Sequence, residues 1–242
     1  MRSAAALIIG NELLSGKIAD ANVVVLARAL RSAGVVFRRV VMVLDEIDTI
    51  AAEVLALSGS HDVVFTSGGV GPTHDDVTID AVAAAFGVPV ESSSLMEGLL
   101  REYYGERLLP DHLLMARMPS GARLVSSPSM PWPAVVMKNV WVLPGVPEIF
   151  QSKIPLILSD LGTDKPFVSF SVLTTLDEGA IKPMLDSVVS AFPHIQIGSY
   201  PRFGGVEYRT KLTFDGLDPS AAKAAADAFA ASLPEETIVR VG

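Results

Sequence analysis

The sequence predicts an α/β protein: a three-layer α/β/α sandwich with a mostly parallel sheet, followed by a small α+β domain. Short apolar segments typical of buried strands alternate with segments of helical spacing, and the connections between them are short, which predicts the sandwich. The elements after residue 166 follow the order β-α-β-β-α-β, which predicts the small domain. The predicted domains are 1–163 and 167–242, and the Gly, Lys and Pro content of 161–166 is typical of a linker.

The first domain begins with three predicted strands separated by two helices. Helices that follow strands through short turns connect parallel strands by right-handed crossovers. The first helix has an apolar face and ends at Gly34, a residue typical of helix C-termini. The predicted strands are 5–9, 35–44 and one starting at Val63, and the two further helices are 48–57 and 77–86.

The later elements are predicted from apolar runs and turn residues. A short strand near Val88 precedes a helix at 95–104, and a hairpin pairs 134–137 with 140–143 before a helix that opens at 144–148. In the second domain, a ferredoxin-like or KH-like arrangement is expected. Its predicted strands are 167–174, 195–199, 206–214 and 237–241, and its predicted helices are 179–190 and 219–233.

The composition narrows the classes of partner. The net charge is −8 and no Lys/Arg cluster is present, so we expect no nucleic-acid partner. Half of the residues are hydrophobic, but the apolar stretches are shorter than the roughly 18 residues of a spanning helix, so we expect no membrane partner. The chain has no cysteine, which excludes thiolate metal sites and cysteine nucleophiles and agrees with a predicted cytoplasmic location.

The most informative segment is Thr66-Ser-Gly-Gly-Val-Gly-Pro-Thr-His-Asp-Asp-Val-Thr78, which lies between a predicted strand and a predicted helix. Glycines in such a turn let backbone N–H groups converge on a phosphate. We place Asp75 and Asp76 in the first helical turn. Their carboxylates would repel that phosphate unless a divalent cation bridged the carboxylates and the phosphate. The segment therefore predicts a site for phosphate together with Mg²⁺ or a similar ion.

A simpler alternative exists for the same residues. Thr73 and Asp76 have the spacing of a helix-capping arrangement, and acidic residues are favourable at a helix N-terminus without any ligand. A capping arrangement does not need three glycines, whereas a backbone that approaches a ligand closely does. The glycines therefore favour the ligand site.

Three other turns follow predicted strands. In open parallel sheets, ligands bind outside the carboxyl ends of the strands, so the turns should meet the glycine-rich segment at one edge. Their residues are Gly10-Asn11-Glu12, Asp45 and Pro144–Glu148. No dinucleotide-binding fingerprint or P-loop occurs, and the four histidines are too scattered for a histidine-rich zinc site.

With these residues in view, the chain resembles the molybdopterin-binding-like superfamily, as found in the amino-terminal domain of competence/damage-inducible protein A and in the corresponding domain of FAD synthase. The resemblance rests on four segments. They are Gly10-Asn-Glu-Leu-Leu-Ser-Gly16 with Asn22, Asp45, the glycine-rich segment ending at Thr78, and Leu143-Pro-Gly-Val-Pro-Glu148.

The resemblance implies a phosphate-rich ligand and a divalent metal (Mg, Mn or Co). Asp76 and Asp45 match essential carboxylates of the family, and Glu12 is expected to be a third ligand or a base that orients water. Expected metal ligands are Asp76, Asp45 and Asp75. Expected substrate-binding residues are Ser67, Gly68, Gly69, Gly71, Thr73, Asn22, Pro144, Gly145 and Glu148.

Three functions follow from the resemblance. The leading hypothesis is a metal-dependent nucleotide pyrophosphatase that hydrolyses FAD or ADP-ribose to monophosphates. The alternatives are a molybdopterin-binding or adenylyltransferase protein of molybdenum cofactor biosynthesis, and a non-catalytic nucleotide- or pterin-binding module. Relatives commonly self-associate, so we also expect a homo-oligomer.

Overall fold

A computed structural model describes residues 2–162, 165–204 and 207–242. The chain forms two compact units, Met1–Asp164 and Lys165–Gly242. Residues 163 and 164 of the predicted linker lie outside the described residues.

The first unit contains a six-stranded sheet and a separate two-stranded sheet. Its strands are β1 Ser3–Ile9, β2 Val36–Val43, β3 Val63–Ser67, β4 Val90–Ser92, β5 Arg117–Pro119, β6 Arg123–Ser127, β7 Met130–Met137 and β8 Val140–Leu143. Its helices are α1 Asn11–Leu14, α2 Asn22–Ser32, α3 Ile47–Ser60, α4 Thr78–Phe86, α5 Ser94–Tyr104 and α6 Pro147–Leu161, with 3-10 turns at Gly105–Arg107 and Pro110–Ala116.

The large sheet has the strand order β2-β1-β3-β8-β7-β6. The first four strands are parallel to one another, and β7 and β6 extend the sheet in antiparallel fashion. Strands β1 and β3 are almost entirely buried, as expected for strands covered on both faces. The predicted mostly parallel fold class is therefore confirmed.

Helices cover both faces of this sheet and complete the three layers. On one face, α2 and α6 place Leu26, Leu30, Phe150 and Ile157 against the strands in a core that contains Trp141. On the other face the core is formed by α3, α4 and α5, which contribute Ile50, Val54, Leu57, Ala81, Val82, Met96 and Leu100.

The sequence predictions differ from the structure at three elements of this unit. The predicted strand near Val88 is present as β4, but its partner β5 and the antiparallel edge strand β6 were not predicted. In addition, α4 begins at Thr78, so Asp75 and Asp76 precede the helix and do not lie in its first turn. The reason is a contact between the two ends of the glycine-rich segment, since the N–H and hydroxyl of Thr78 donate to the carbonyls of Gly69 and Gly68.

The second unit has the predicted β-α-β-β-α-β order. Its strands form one antiparallel sheet with the order β10-β11-β9-β12, and its α8 buries Phe229 and several alanines. The predicted strand 206–214 begins at a residue outside the described ones. The elements are β9 Val168–Thr174, α7 Glu178–Ala191, β10 Gln196–Pro201, β11 Thr210–Gly216, α8 Pro219–Ser232, a 3-10 turn at Glu235–Thr237 and β12 Ile238–Val241.

Within residues 2–162, 165–204 and 207–242, no helix has both the length and the apolar character needed to cross a membrane.

Candidate functional site

A cavity of about 1390 Å³ lies in the first unit, at the carboxyl ends of its parallel strands. Residues that follow four different strands line it: Gly10 after β1, Asp45 after β2, Gly68–Gly71 after β3 and Pro144 after β8. The topology explains this convergence, because the carboxyl ends of parallel strands share one edge of a sheet. The turns singled out in the sequence thus meet at one cavity.

The glycine-rich turn after β3 is packed tightly against the rest of the unit. Gly68 and Gly69 have φ values of 112° and 65°, which side chains rarely allow. A Cβ atom on Gly68 would lie 2.1 Å from the carbonyl oxygen of Ile9, and one on Gly69 would lie 2.4 Å from Oγ1 of Thr78. A Cβ on Gly71 would lie 2.6 Å from Oδ2 of Asp76. The backbone conformation and contacts within the protein therefore already require Gly68 and Gly69, whereas a side chain at position 71 would meet only the carboxylate of Asp76.

The backbone N–H groups of this turn divide into two sets. That of Gly68 donates to the carbonyl of Leu143, and so it is used within the fold. Those of Gly69, Val70 and Gly71 have no hydrogen-bond acceptor among the described residues. Consecutive backbone N–H groups without an acceptor are the kind of donor that anion-binding turns use.

Asn22 connects the turn after β3 with the turn after β8. It is buried, and its Nδ2 donates to Oγ of Ser67 and to the carbonyl of Gly145, both at 2.9 Å. A Cβ on Gly145 would lie 3.2 Å from Cα of Gly68, so the two turns touch. The Oδ1 atom of Asn22 is buried without a partner among the described residues. Asn22 thus positions the turns that line the cavity.

Asp45 lies in a group of carboxylates at the cavity edge. Its Oδ2 accepts a hydrogen bond of 2.8 Å from the N–H of Asn11. Burial raises the pKa of Asp45, and the negative charges of Glu12, Asp75 and Asp76 raise it further, while the Asn11 bond opposes them. Glu12, Asp75 and Asp76 are therefore close enough to repel the carboxylate of Asp45.

Thr73 organises the two aspartates beside the glycine turn. Its hydroxyl lies 2.7 Å from Oδ1 of Asp75 and 2.5 Å from Oδ2 of Asp76, and its N–H donates to the same Asp76 oxygen at 2.8 Å. The hydrogen bond from Thr73 lowers the pKa of Asp75. Thr73 therefore orients both carboxylates rather than capping α4, whose N-terminal cap is Val77.

The carboxylates are suitable donors for a divalent cation, although no complete cage is formed. Among the described residues, no three His, Asp or Glu side chains converge at metal-binding spacing. Mg²⁺ commonly takes only one or two carboxylates and completes its shell with water and substrate phosphates. The structure therefore does not bring the predicted ligands Asp76, Asp45 and Asp75 together as a set of three, and binding of a metal by one or two of them stays a prediction.

One predicted site residue lies elsewhere. Glu148 is exposed in the first turn of α6 and is not among the residues that line the cavity. The other twelve predicted residues all line it.

Two basic residues of the cavity wall were missed in the sequence. Arg117 forms a bidentate ion pair with Asp80, with N–O distances of 2.5 and 3.1 Å. Lys153 is buried in α6, where burial lowers its pKa to about 8, and its ammonium donates to the carbonyl of Trp132. A signal for Lys153 was present, since it occupies a core-facing position of an amphipathic helix.

The remaining wall of the cavity is apolar and rich in large side chains. Tyr104 stacks on His112 with ring centroids 3.9 Å apart. Flat, polarizable side chains of this kind suit a planar heterocycle. The wall includes Met96, Leu100, Tyr103, Tyr104, Met115 and Trp132.

Comparison with known families gives two matches that together cover most of the chain. Residues 5–162 match the family described as probable molybdopterin binding domain. Residues 166–242 match the FAD synthase middle domain.

Individual relatives agree with this division. A probable FAD synthase of Caenorhabditis elegans is 31% identical over 241 residues, which cover 88% of this chain and 46% of that protein. The chain thus spans less than half the length of the nematode protein. A protein of Archaeoglobus fulgidus is 32% identical over 222 residues, which cover 91% of this chain and 93% of that protein.

A solved structure shows the same fold. The protein CinA from Thermoplasma acidophilum, described as having unknown function, superposes with a TM-score of 0.61 and 28% identity, covering 66% of this chain and 98% of that one. The chain therefore belongs to the family of probable molybdopterin binding domains and carries after that domain a region of the FAD synthase middle-domain type.

Proposed function

We propose that this protein is a divalent-metal-dependent pyrophosphatase that hydrolyses FAD or ADP-ribose to two monophosphates. The observation that carries the proposal is the pairing of free backbone donors at Gly69–Gly71 with the carboxylates of Asp45, Asp75 and Asp76 in one cavity. The donors suit phosphate oxygens, and the carboxylates suit a cation that neutralises the phosphates.

The size and character of the cavity support a nucleotide with a planar ring. At about 1390 Å³ it exceeds the range of common small-molecule pockets, roughly 300–1,000 Å³. Its carboxylates and free donors lie at the strand ends, whereas its other wall contains aromatic and methionine side chains. A ligand with a pyrophosphate and a heterocycle matches both parts.

The chain's own groups would bind and align the reactants. The N–H groups of Gly69–Gly71 would hold non-bridging phosphate oxygens, and Thr73 would keep Asp75 and Asp76 oriented. When bound, the cation would supply charge neutralisation at the phosphates. Glu12 would accept a proton from the attacking water. At the same time the water oxygen would bond to one phosphorus, and the bond between that phosphorus and the bridging oxygen would break.

A second function is favoured by the family match itself. A molybdopterin-binding or adenylyltransferase protein would use the same free donors for the pterin phosphate and the same apolar wall for the ring. A non-catalytic nucleotide- or pterin-binding module would use them without turnover. Self-association and a cytoplasmic location stay predictions.

The proposal is tested by incubating the protein with FAD, ADP-ribose or NAD, each with Mg²⁺, Mn²⁺, Co²⁺ or EDTA, and quantifying monophosphates by chromatography. We expect FMN and AMP from FAD, or AMP and ribose 5-phosphate from ADP-ribose, only when a metal is present. If no metal supports cleavage, the pyrophosphatase assignment is wrong. Competition between FAD and molybdopterin for binding then tests the second function.

A further inference from the structure

Lys153 is an unusual feature of the cavity wall because it is a lysine inside the protein. Its residue surface is only 2% exposed, and its neighbours on the buried face of α6 are Phe150, Leu156 and Ile157. Lysine is among the residues least often buried, since moving an ammonium ion out of water is costly unless a partner compensates. The structure must therefore provide, or be built to receive, such a partner.

The protein itself offers Lys153 only a neutral partner. Its ammonium donates one hydrogen bond to the backbone carbonyl of Trp132, and no described carboxylate lies within ion-pairing distance of it. Burial is the cause of its lowered pKa. By contrast, Lys182 and Lys223 lie at the surface and pair with aspartates at 2.6 Å. Lys153 keeps two donors and a positive charge that no described group neutralises.

Lys153 reaches the cavity from a different element than the glycine turn does. It is six residues beyond Pro147, the first residue of α6, which corresponds to about 9 Å along a helix. Its side chain and Trp132 both line the cavity. A cation on α6 therefore adds a positive charge to a cavity whose other phosphate-binding groups, the N–H groups of Gly69–Gly71, are neutral.

We propose that Lys153 is a substrate-binding residue whose ammonium binds a phosphate oxygen of the ligand beside Trp132. The inference rests on the proposed function and deepens it, because it assigns the cavity a second anion-binding position besides the glycine turn. The ligand class is then a phosphate ester of a planar heterocycle, with the phosphate supplying the counter-charge that the fold lacks.

The test compares phosphorylated and unphosphorylated ligands in EDTA, so that no metal contributes to binding. The ligand pairs are FMN with riboflavin and AMP with adenosine, titrated against wild type and Lys153→Met. Met has a similar length and no charge. We expect the variant to bind FMN or AMP about tenfold to hundredfold more weakly, the loss typical of a charged hydrogen bond, and to bind riboflavin or adenosine as wild type does.

Two further variants separate the charge from the structural contact. Lys153→Gln can keep a hydrogen bond to the carbonyl of Trp132 but has no charge, and we expect it to lose the phosphate preference as Lys153→Met does. Lys182→Met removes an exposed lysine of the second unit and should leave binding unchanged. We also expect Lys153→Met to melt at a higher temperature than wild type without ligand, because an uncompensated buried charge is removed.

The inference is overturned if wild type shows no preference for the phosphorylated member of either pair, or if Lys153→Gln keeps that preference. It is also overturned if Lys153→Met melts lower with unchanged binding, since Lys153 would then only tie α6 to β7. Failure of the proposed function looks different. In that case FMN or AMP binds through Lys153, but no metal supports cleavage of FAD or ADP-ribose.

Discussion

Gly68→Ala should destabilise the first unit strongly, because two independent costs fall on one atom. The φ of 112° at Gly68 is sparsely allowed for alanine and costs about 1–3 kcal/mol. The added Cβ would also lie 2.1 Å from the carbonyl oxygen of Ile9. That oxygen belongs to β1, whose residue Ile9 pairs with Val43 in the sheet, so it cannot retreat freely. Overpacking of this kind costs about 1–3 kcal/mol more.

Together these costs predict a loss of about 4 kcal/mol in the free energy of unfolding, or a Tm lower by roughly 8–16 °C for a domain of this size. Tryptophan fluorescence during urea or thermal unfolding is a suitable assay, because Trp132 and Trp141 both lie in the first unit. The matched control is Gly59→Ala in α3, where a Cβ meets no atom within 4 Å. It should gain about 0.5–1 kcal/mol. A Gly68→Ala protein within about 1 kcal/mol of wild type would refute the packing argument.

Three other variants test the acidic edge and the cavity wall. Asp76→Asn should abolish turnover, while its Tm stays within a few degrees of that of wild type, because asparagine can still accept the hydrogen bond from the Thr73 N–H. A variant that keeps most of the wild-type activity would contradict the role of Asp76. The folded state raises the pKa of Asp45, so the contribution of this residue to stability falls as the pH rises above the usual pKa of 3.8. Asp45→Asn should therefore be more stable than wild type at pH 7 and equally stable near pH 3. Urea unfolding at the two pH values measures the difference. Arg117→Met should lower the free energy of unfolding by about 1 kcal/mol, because it breaks a partly exposed bidentate pair with Asp80; unchanged urea midpoints would show that the pair contributes nothing.

Much of the fold could be predicted from local sequence patterns. The buried strands β1 and β3 are short apolar runs, and α2 ends where Gly34 permits a left-handed residue. The hairpin of β7 and β8 also follows from its apolar runs on either side of Lys138-Asn139. These elements could be predicted from the sequence because one periodicity or one turn residue determines each of them.

The elements that were missed depend on distant contacts. Strand β6 is recognisable only through its pairing with β7, and β5 is a strand only because β4 lies beside it. Likewise, the start of α4 is set by hydrogen bonds from Thr78 to Gly68 and Gly69 rather than by the acidic residues before it. Tertiary contacts of this kind leave little trace in a single sequence.

In the candidate site, too, some features could be predicted from local sequence patterns and others depend on tertiary contacts. Glycines and carboxylates after strands indicated which turns would meet, because the carboxyl ends of parallel strands share an edge. The sequence could not show that Gly68 and Gly69 are required by contacts with Ile9 and Thr78, nor that the N–H of Gly68 is already used. Lys153 was missed because its helical spacing indicates burial in α6 but does not show that the side chain lines the cavity.

The most direct test of the central claim is hydrolysis of FAD and ADP-ribose in ¹⁸O-labelled water with Mg²⁺, Mn²⁺ or Co²⁺, followed by mass spectrometry of the monophosphates. Water attack on a pyrophosphate bond places one ¹⁸O atom in one of the two products. We predict that labelled product from wild type, and none from Asp76→Asn or from wild type in EDTA. Absence of labelled product with every metal, or equal labelling by Asp76→Asn, would contradict the proposal of a metal-dependent pyrophosphatase at this cavity.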